Sequence, residues 1–421
     1  MESNFVFSGV DTVYLAKKYG TPLYVLSEDI IRENIKQIKK LFLSKYERTH
    51  VYYASKAFLT KAMARIVKDE GIGIDVVSYG ELYTALEVGI DPKYIMLHGN
   101  NKSYEELHAA VKAKVGRIVV DSISELYFLD EIAKSQGEVV KILFRLSPNV
   151  EASTHKYITT GQLDSKFGIP LDNLIIDEAV RFAIQSKNIL LKGFHFHVGS
   201  QIFDNTPYTE SVSKVMELVK TLKDKFNFEA EDLNVGGGYA IKYSDIDFPE
   251  PIEYYTDAIM EKVEQASTSL HIVRPNVFIE PGRYIVGDAG ITLYSIGSIK
   301  EIPGIRKYIS IDGGFADNPR AALYQAKYTA HIANKMNQEP DETVTIAGKC
   351  CESGDILLWD LAVPKVERGD YLAVLRTGAY NHSMASNYNK LPRPAVVMIK
   401  EGSDRIVVKR ESYSDLLKND I

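Results

Sequence analysis

Four groups of residues have side chains and spacings suited to chemistry. Lys56 lies near the end of a strand-like run, within Tyr52-Tyr53-Ala54-Ser55-Lys56-Ala57. An inward lysine among apolar neighbours loses hydration and becomes a better amine nucleophile toward an aldehyde, whereas most lysines are solvated surface groups. Gly236-Gly237-Gly238 closes another run. A glycine triplet makes a tight turn or lets backbone amides approach a phosphate without Cβ interference. His195 and His197 alternate in Phe194-His195-Phe196-His197-Val198-Gly199-Ser200-Gln201, so both face one side of a strand, and Ser200 supplies a hydroxyl just beyond. The pair also allows a metal. No third ligand stands at a suggestive spacing, so a cofactor-contacting or packed histidine is preferred and no metal is expected. Glu280-Pro281-Gly282-Arg283 sets opposite charges three residues apart, as a structural ion pair would.

These residues need elements that bring them together. From about residue 50, short β-branched or aromatic runs alternate with amphipathic segments, the signature of βα units. Eight runs are predicted: His50–Phe58, Ile72–Ser78, Ile95–Gly99, Arg117–Ser122, Val139–Pro148, Leu191–Gly199, Asp232–Gly238 and Val277–Arg283. Capping boxes are predicted at Ser78 with Glu81, Ser103 with Glu106 and Ser122 with Glu125. After the first run, Ala62, Met63, Ile66 and Val67 share a helix face. Eight units over residues 50–283 match the ~250 residues of a TIM-like (β/α)8 barrel, with a doubly wound open sheet as the rival. In such a barrel the site lies at the C-terminal strand ends and phosphates bind after strands seven and eight, where the candidates stand.

Ahead of the barrel, Pro22–Ser27 reads as a strand and Glu28–Ser44 as a helix with Ile30, Ile31, Ile35, Ile38 and Leu41 inward. Beyond residue 283 the period changes to two, with strands predicted at Ile291–Ile299, Tyr308–Ile311, Thr343–Ile346, Tyr371–Leu375 and Arg405–Lys409. The expected division is 1–48 as an added layer, 49–285 as the barrel and 286–421 as a mainly β domain. The stretch 149–170, carrying His155, Lys156 and Lys166, exceeds ordinary βα loop lengths and is expected to be a substrate-facing lid.

Composition narrows the class. Of 421 residues, 45% are hydrophobic and 25% charged, which argues for a globular chain with a large core. Fifty basic against 56 acidic residues give a net charge of −6, so nothing favours nucleic acid or anionic lipid, and a small molecule is the expected partner. No apolar run approaches the ~18–20 residues that span a bilayer, and the first residues lack the pattern of a signal peptide. No membrane association and a cytoplasmic address are expected. The cysteines, Cys350 and Cys351, are adjacent and cannot clip distant segments together, which leaves one of them for chemistry.

An amine, a phosphate cradle, a ring-supporting imidazole and a carboxylate at four strand ends are together what pyridoxal phosphate requires. At this point the chain resembles the diaminopimelate decarboxylases, within the alanine-racemase-like pyridoxal-phosphate enzymes. The resemblance spans nearly the whole chain. It is carried by Tyr53-Ala54-Ser55-Lys56-Ala57, Asp75-Val76-Val77-Ser78-Tyr79-Gly80-Glu81, His98-Gly99-Asn100-Asn101-Lys102, His155 through Gly161, Phe196 through Gln201, the glycine triplet and Glu280 through Arg283. Further on it is carried by Asp312-Gly313-Gly314, Asn318-Pro319-Arg320 with Ala322-Leu323-Tyr324, Cys351-Glu352-Ser353-Gly354-Asp355, and Gly378-Ala379-Tyr380 with Met384 through Asn389.

The resemblance implies that Lys56 bonds the cofactor aldehyde, His197 stacks on its ring and Glu280 partners the pyridine nitrogen. Ser200, Gly237, Gly238, Pro281, Gly282 and Arg283 would surround the phosphate and ring. Arg283, Arg320 and Tyr324 would grip substrate carboxylate, Glu352 a distal ammonium, and Tyr380 both cofactor and substrate. Cys351 would act as the acid near the carbanion, its segment entering the active site of a second subunit, so a homodimer with shared sites is implied. The implied activity is decarboxylation of meso-2,6-diaminopimelate to L-lysine. Ala321, Lys327-Tyr328 and Lys349-Cys350 depart from the family pattern without removing a chemical role. The alternatives are an ornithine, lysine or arginine decarboxylase of the same fold, and a non-catalytic pyridoxal-phosphate carrier, which would need neither Arg320 nor Cys351-Glu352.

Overall fold

All eight predicted runs become strands in the computed structural model, which describes residues 4–150 and 165–421. They are Thr49–Ala54, Gly73–Val76, Ile95–Leu97, Arg117–Val120, Val140–Ser147, Ile189–Phe196, Asp232–Asn234 and Asn276–Ile279. Each pairs in parallel with its neighbours in chain order, and the eighth returns to the first through Val277↔Thr49, Phe278↔His50 and Ile279↔Val51. That last ladder closes a (β/α)8 barrel and removes the open-sheet alternative. Tyr52, Met96, Val119, Leu143 and Phe278 fill the barrel with a buried layer, as a packed barrel core requires. Most of the stretch expected to form a lid, including His155 and Lys156, lies outside the described residues; Lys166 stands over the Phe167 ring, 4.8 Å from its centroid.

The helix starts follow the serine signals, but of the three predicted capping boxes one is reciprocal. At Ser103 both halves are present, Glu106 accepting from the Ser103 amide at 2.8 Å. Ser78 and Ser122 accept from the amides of Glu81 and Glu125 as predicted, yet the two carboxylates have other work. Glu81 takes the Val77 amide and the Ser55 hydroxyl, each at 2.7 Å, tying the second helix to the first strand end. Glu125 accepts from Lys102 Nζ at 2.6 Å. Lys102 also donates to the carbonyls of Gly99 (2.7 Å) and Val119 (2.6 Å), so one buried ammonium joins the ends of the third and fourth strands. Burial pushes the Lys102 ammonium down and the Glu125 carboxyl up, and their mutual attraction opposes both shifts.

The chain divides into two compact units. One, Ile35–Ala240 with Pro249–Gly282, holds the barrel. The other is Met1–Asn34 with Ile241–Phe248 and Arg283–Ile421. These limits differ from the expected 48/49 and 285/286, because the strand Leu23–Ser27 and the short return segment after the glycine triplet belong to the second unit. The second unit is built on a sheet ordered Ile356–Val363, Glu342–Ala347, Arg306–Ile311, Gly290–Ile302, Leu23–Ser27, Ala395–Lys400 and Ser403–Val408. Tyr371–Leu375 pairs with both Gly290–Ile302 and Ala330–Ile332. The predicted helix Glu28–Ser44 is α-helical over Glu28–Ile38 and continues as a π-helix over Lys39–Leu43. Among the described residues, no helix is long and apolar enough to cross a membrane.

Removing one partner of a buried ion pair leaves the other charge uncompensated, which typically costs ~3–5 kcal/mol. Lys102→Met should lower the unfolding free energy by about that amount, read from the guanidinium midpoint, whereas Lys102→Met with Glu125→Leu should recover most of it. A single-variant loss below about 1 kcal/mol would mean that the pair does not hold the strand ends together.

Candidate active site: a buried carboxylate and a pair of buried arginines

In the barrel unit the chemistry converges on Glu280, one residue past the eighth strand and only 7% exposed. Its Oε1 accepts from Asn234 Nδ2 at 2.6 Å and lies 2.9 Å from His98 Nε2. Its Oε2 lies 3.2 Å from His195 Nε2. The three partners come from the ends of the seventh, third and sixth strands, and barrel closure is what brings them to one carboxylate. Burial works against ionisation of Glu280, but His98 and His195 outweigh it and hold the carboxyl well below its usual range. His195 is pushed by burial down to about 4, so at neutral pH it acts on Glu280 as a neutral imidazole. Asp75, 3.8 Å from His98 Nε2, is pushed up to about 7, first by burial and then by Glu280, against the pull of His98.

His195 and His197 take different partners. His195 turns to Glu280, while His197 Nδ1 accepts from the Gly237 amide at 3.3 Å. The His98 ring stands edge-on to that of His195 at 4.8 Å. His98, His195 and Glu280 do bring ligand-type atoms within 4.8 Å of one another. The spacing of His195 and His197 hid this grouping, because two of its members come from other strands. Burial lowers the His197 imidazole well below its usual value, so it too is a neutral ring. The reading of Glu280 as the partner of Arg283 gives way to this arrangement.

Lys56 sits on a 3-10 turn, Ser55–Ala57, directly after the first strand. It was expected to be inward and dehydrated, but its side chain is exposed because it follows the strand instead of facing the barrel interior within it. Its charge still reaches Asp75, Glu81 and His197. The glycine triplet is first a packing requirement. A Cβ on Gly237 would lie 2.0 Å from the Glu280 carbonyl, and one on Gly238, at φ +110°, would lie 2.2 Å from the Gly199 carbonyl. Backbone therefore meets backbone where the loops after strands six, seven and eight converge, beside Ser200, Pro281 and Gly282.

This donor set fits pyridoxal phosphate. It offers a buried carboxylate held ionised for a pyridine N–H, glycine backbone without Cβ atoms for a phosphate, a neutral imidazole beside it and an accessible amine.

The second unit holds a different cluster. Arg283 and Arg320, 6% and 7% exposed, both donate to the Tyr243 hydroxyl, Arg320 at 3.2 Å. Arg320 also donates to Tyr328 at 2.8 Å. The Arg283 guanidinium lies 4.8 Å from the Tyr380 ring centroid, and that of Arg320 lies 5.9 Å from Tyr380 and 6.0 Å from Tyr324. Tyr380 has φ +67°, a left-handed conformation that a bulky residue adopts at a cost of ~1–3 kcal/mol and that is commonest at working sites. Sequence reasoning found the arginines, Tyr324 and Tyr380 but missed Tyr243. It named His98 within a motif without giving it a role and did not single out Asn234, although their places at strand ends were a usable signal.

Cys351 and Glu352 belong to a different part of this unit, on the turn between Glu342–Ala347 and Ile356–Val363. Both are exposed; the Cys351 amide donates to Asn389 at 2.7 Å, and Glu352 accepts from the Gly354 amide at 3.3 Å. The neighbouring Cys350 is buried, and burial pushes its thiol up to about 11.

The profile of the family described as pyridoxal-dependent decarboxylase, pyridoxal binding domain, matches residues 29–287. The chain is 49% identical to a diaminopimelate decarboxylase of Bacillus subtilis over 413 residues, covering 98% of this chain and 94% of the relative. Among solved structures, it is similar to a diaminopimelate decarboxylase of M. jannaschii, with a TM-score of 0.94 and 38% identity over 100% of this chain and 96% of the other. The same enzyme solved with L-lysine superimposes with a TM-score of 0.93, again at 38% identity and the same coverage. With near-complete coverage, this identity and the same fold, the chain belongs to the diaminopimelate decarboxylases.

Proposed function

We infer that the chain catalyses the pyridoxal-phosphate-dependent decarboxylation of meso-2,6-diaminopimelate to L-lysine and carbon dioxide, the last step of lysine biosynthesis. The observation that carries this reading within the chain is the buried, ionised Glu280 under two imidazoles. Pyridoxal phosphate, when bound, supplies the sink for the electron pair left behind by carbon dioxide. Lys56 would hold its aldehyde carbon, Glu280 its pyridine nitrogen, and His197 its ring. Ser200, Gly238 and the backbone around Gly282 would hold its phosphate, with Gly237, Pro281, Arg283 and Tyr380 as further contacts. An ionised Glu280 carboxylate would favour the protonated pyridine nitrogen.

Arg283, Arg320, Tyr324 and Tyr380 would bind the amino-acid group of the substrate that does not react. Two buried guanidiniums recognise a carboxylate and repel the bare ammonium at the end of ornithine or lysine, which favours diaminopimelate over the diamine-forming alternative. Glu352 would take the distal ammonium, and Cys351 would deliver a proton to the carbon that lost carbon dioxide. The exposure of both residues supports a homodimer in which this turn serves the partner subunit's site. A small-molecule biosynthetic reaction and the absence of a membrane-spanning helix among the described residues support a cytoplasmic address.

Borohydride treatment of the holoenzyme should attach the cofactor covalently to Lys56, seen by peptide mapping. A different modified lysine would overturn the assignment. Carbon dioxide release should favour meso-diaminopimelate over lysine and ornithine by on the order of 10⁴-fold, because a site built to pair a charged group rejects analogues that lack it. Arg320→Lys keeps the charge but loses the two-pronged geometry, and should raise KM roughly 10–150-fold with cofactor content unchanged. Equal rates with ornithine would revive the diamine-forming reading.

Mixing inactive Lys56→Ala with inactive Cys351→Ala subunits tests the shared site. Random pairing makes about half of the dimers mixed, each with one intact composite site, so activity should return to roughly a quarter of wild type. A mixture that stays inactive after verified subunit exchange would place each site within a single chain.

A further inference from the structure

The paired arginines pose an electrostatic problem that Tyr243 solves. Arg283 and Arg320 are both buried, and two like charges in a poorly screened interior repel one another. What lies between them is the Tyr243 hydroxyl, which accepts an N–H from each. The same ring offers its face to both guanidiniums, with centroid distances of 5.5 Å to Arg283 and 5.1 Å to Arg320. Tyr243 is in turn clamped along its length. Its amide donates to Asp247 at 3.0 Å, its carbonyl accepts from Thr329 and Arg376 at 3.3 Å each, and its ring stands edge-on to Tyr328 at 5.6 Å. Burial would raise this phenol, yet the two guanidiniums beside it outweigh burial and draw it below its usual value. A tyrosine fixed at both ends and bonded to both cations is a spacer.

We propose that Tyr243 is a positioning residue for substrate recognition, setting the separation and orientation of Arg283 and Arg320 so that together they match a carboxylate. This rests on the reading that the two arginines bind the unreacting amino-acid group of the substrate. That group survives in the product, so L-lysine reports the same contact without chemistry.

Tyr243→Phe removes only the shared hydroxyl and keeps the ring. In the holoenzyme it should raise KM for meso-diaminopimelate and the inhibition constant of L-lysine together, roughly 10- to 100-fold, since a hydrogen bond to a charged group is lost at each arginine. The turnover number should stay within about threefold and the cofactor absorbance should be unchanged. In an Arg320→Lys background the further effect of Tyr243→Phe should shrink to about threefold or less, as expected when one residue acts through the other. If Arg320→Lys weakens both constants but Tyr243→Phe leaves them unchanged, the proposal fails and the arginine reading stands. If neither substitution matters, both fail. Equal losses in turnover, cofactor retention and thermal stability, or loss of folded holoenzyme, would make Tyr243 a structural residue and overturn the proposal.

Discussion

The site in the barrel unit depends on keeping one nearly buried carboxylate charged. An ion moved into the interior loses several kcal/mol of hydration, and only well-placed donors make up the loss. Glu280 has hydrogen bonds to Asn234 and His195, and the His98 imidazole lies 2.9 Å away. None is its neighbour in sequence, and each stands at the end of a different strand. The arrangement therefore exists only if the eighth strand pairs with the first and the sheet closes, so the electrostatics of the site and the topology of the fold are one constraint. The neutrality of His195 fits this role. An imidazole pushed down to about 4 gives Glu280 an N–H without adding a second charge to be solvated.

The second unit meets the mirror-image problem with different means. Buried guanidiniums need acceptors, and a carboxylate placed beside them would occupy the geometry that the substrate carboxylate would take under the proposed role. Tyrosine avoids that conflict. Its hydroxyl accepts and its face attracts a cation, but it brings no full charge of its own unless it ionises. Tyr243, Tyr328, Tyr324 and Tyr380 surround the pair in this way.

Much of this was legible in the sequence because the barrel repeats one local pattern. Buried strands and serine-capped helices each leave a signal within about ten residues, and all eight strands followed from it. What the sequence withheld was long-range. His98 and Glu280 are 182 positions apart in the chain (280 − 98), and nothing local announces that they meet. The exposure of Lys56 was missed for a smaller reason, since one residue decides whether a side chain belongs to a strand or to the turn after it. In the second unit, Ala395–Lys400 escaped because its nearly continuous burial shows no alternation. Ala330–Ile332 is too short to show any period.

The glycine triplet shows how packing and binding can impose the same residue. Gly237 and Gly238 are required whether or not a phosphate is present, because a Cβ at either would collide with a carbonyl of an adjacent loop. Removing those Cβ atoms is also what exposes backbone amides to an anion. Gly193, deep in the sixth strand, makes the comparison clear. A Cβ there would lie 1.9 Å from the Asp232 carbonyl, so close approach alone requires glycine at a position with no claim to chemistry. Glycine in this barrel is thus evidence of backbone proximity first. It becomes evidence of a phosphate site only through its place after the seventh strand, beside a carboxylate that the rest of the barrel is built to keep ionised.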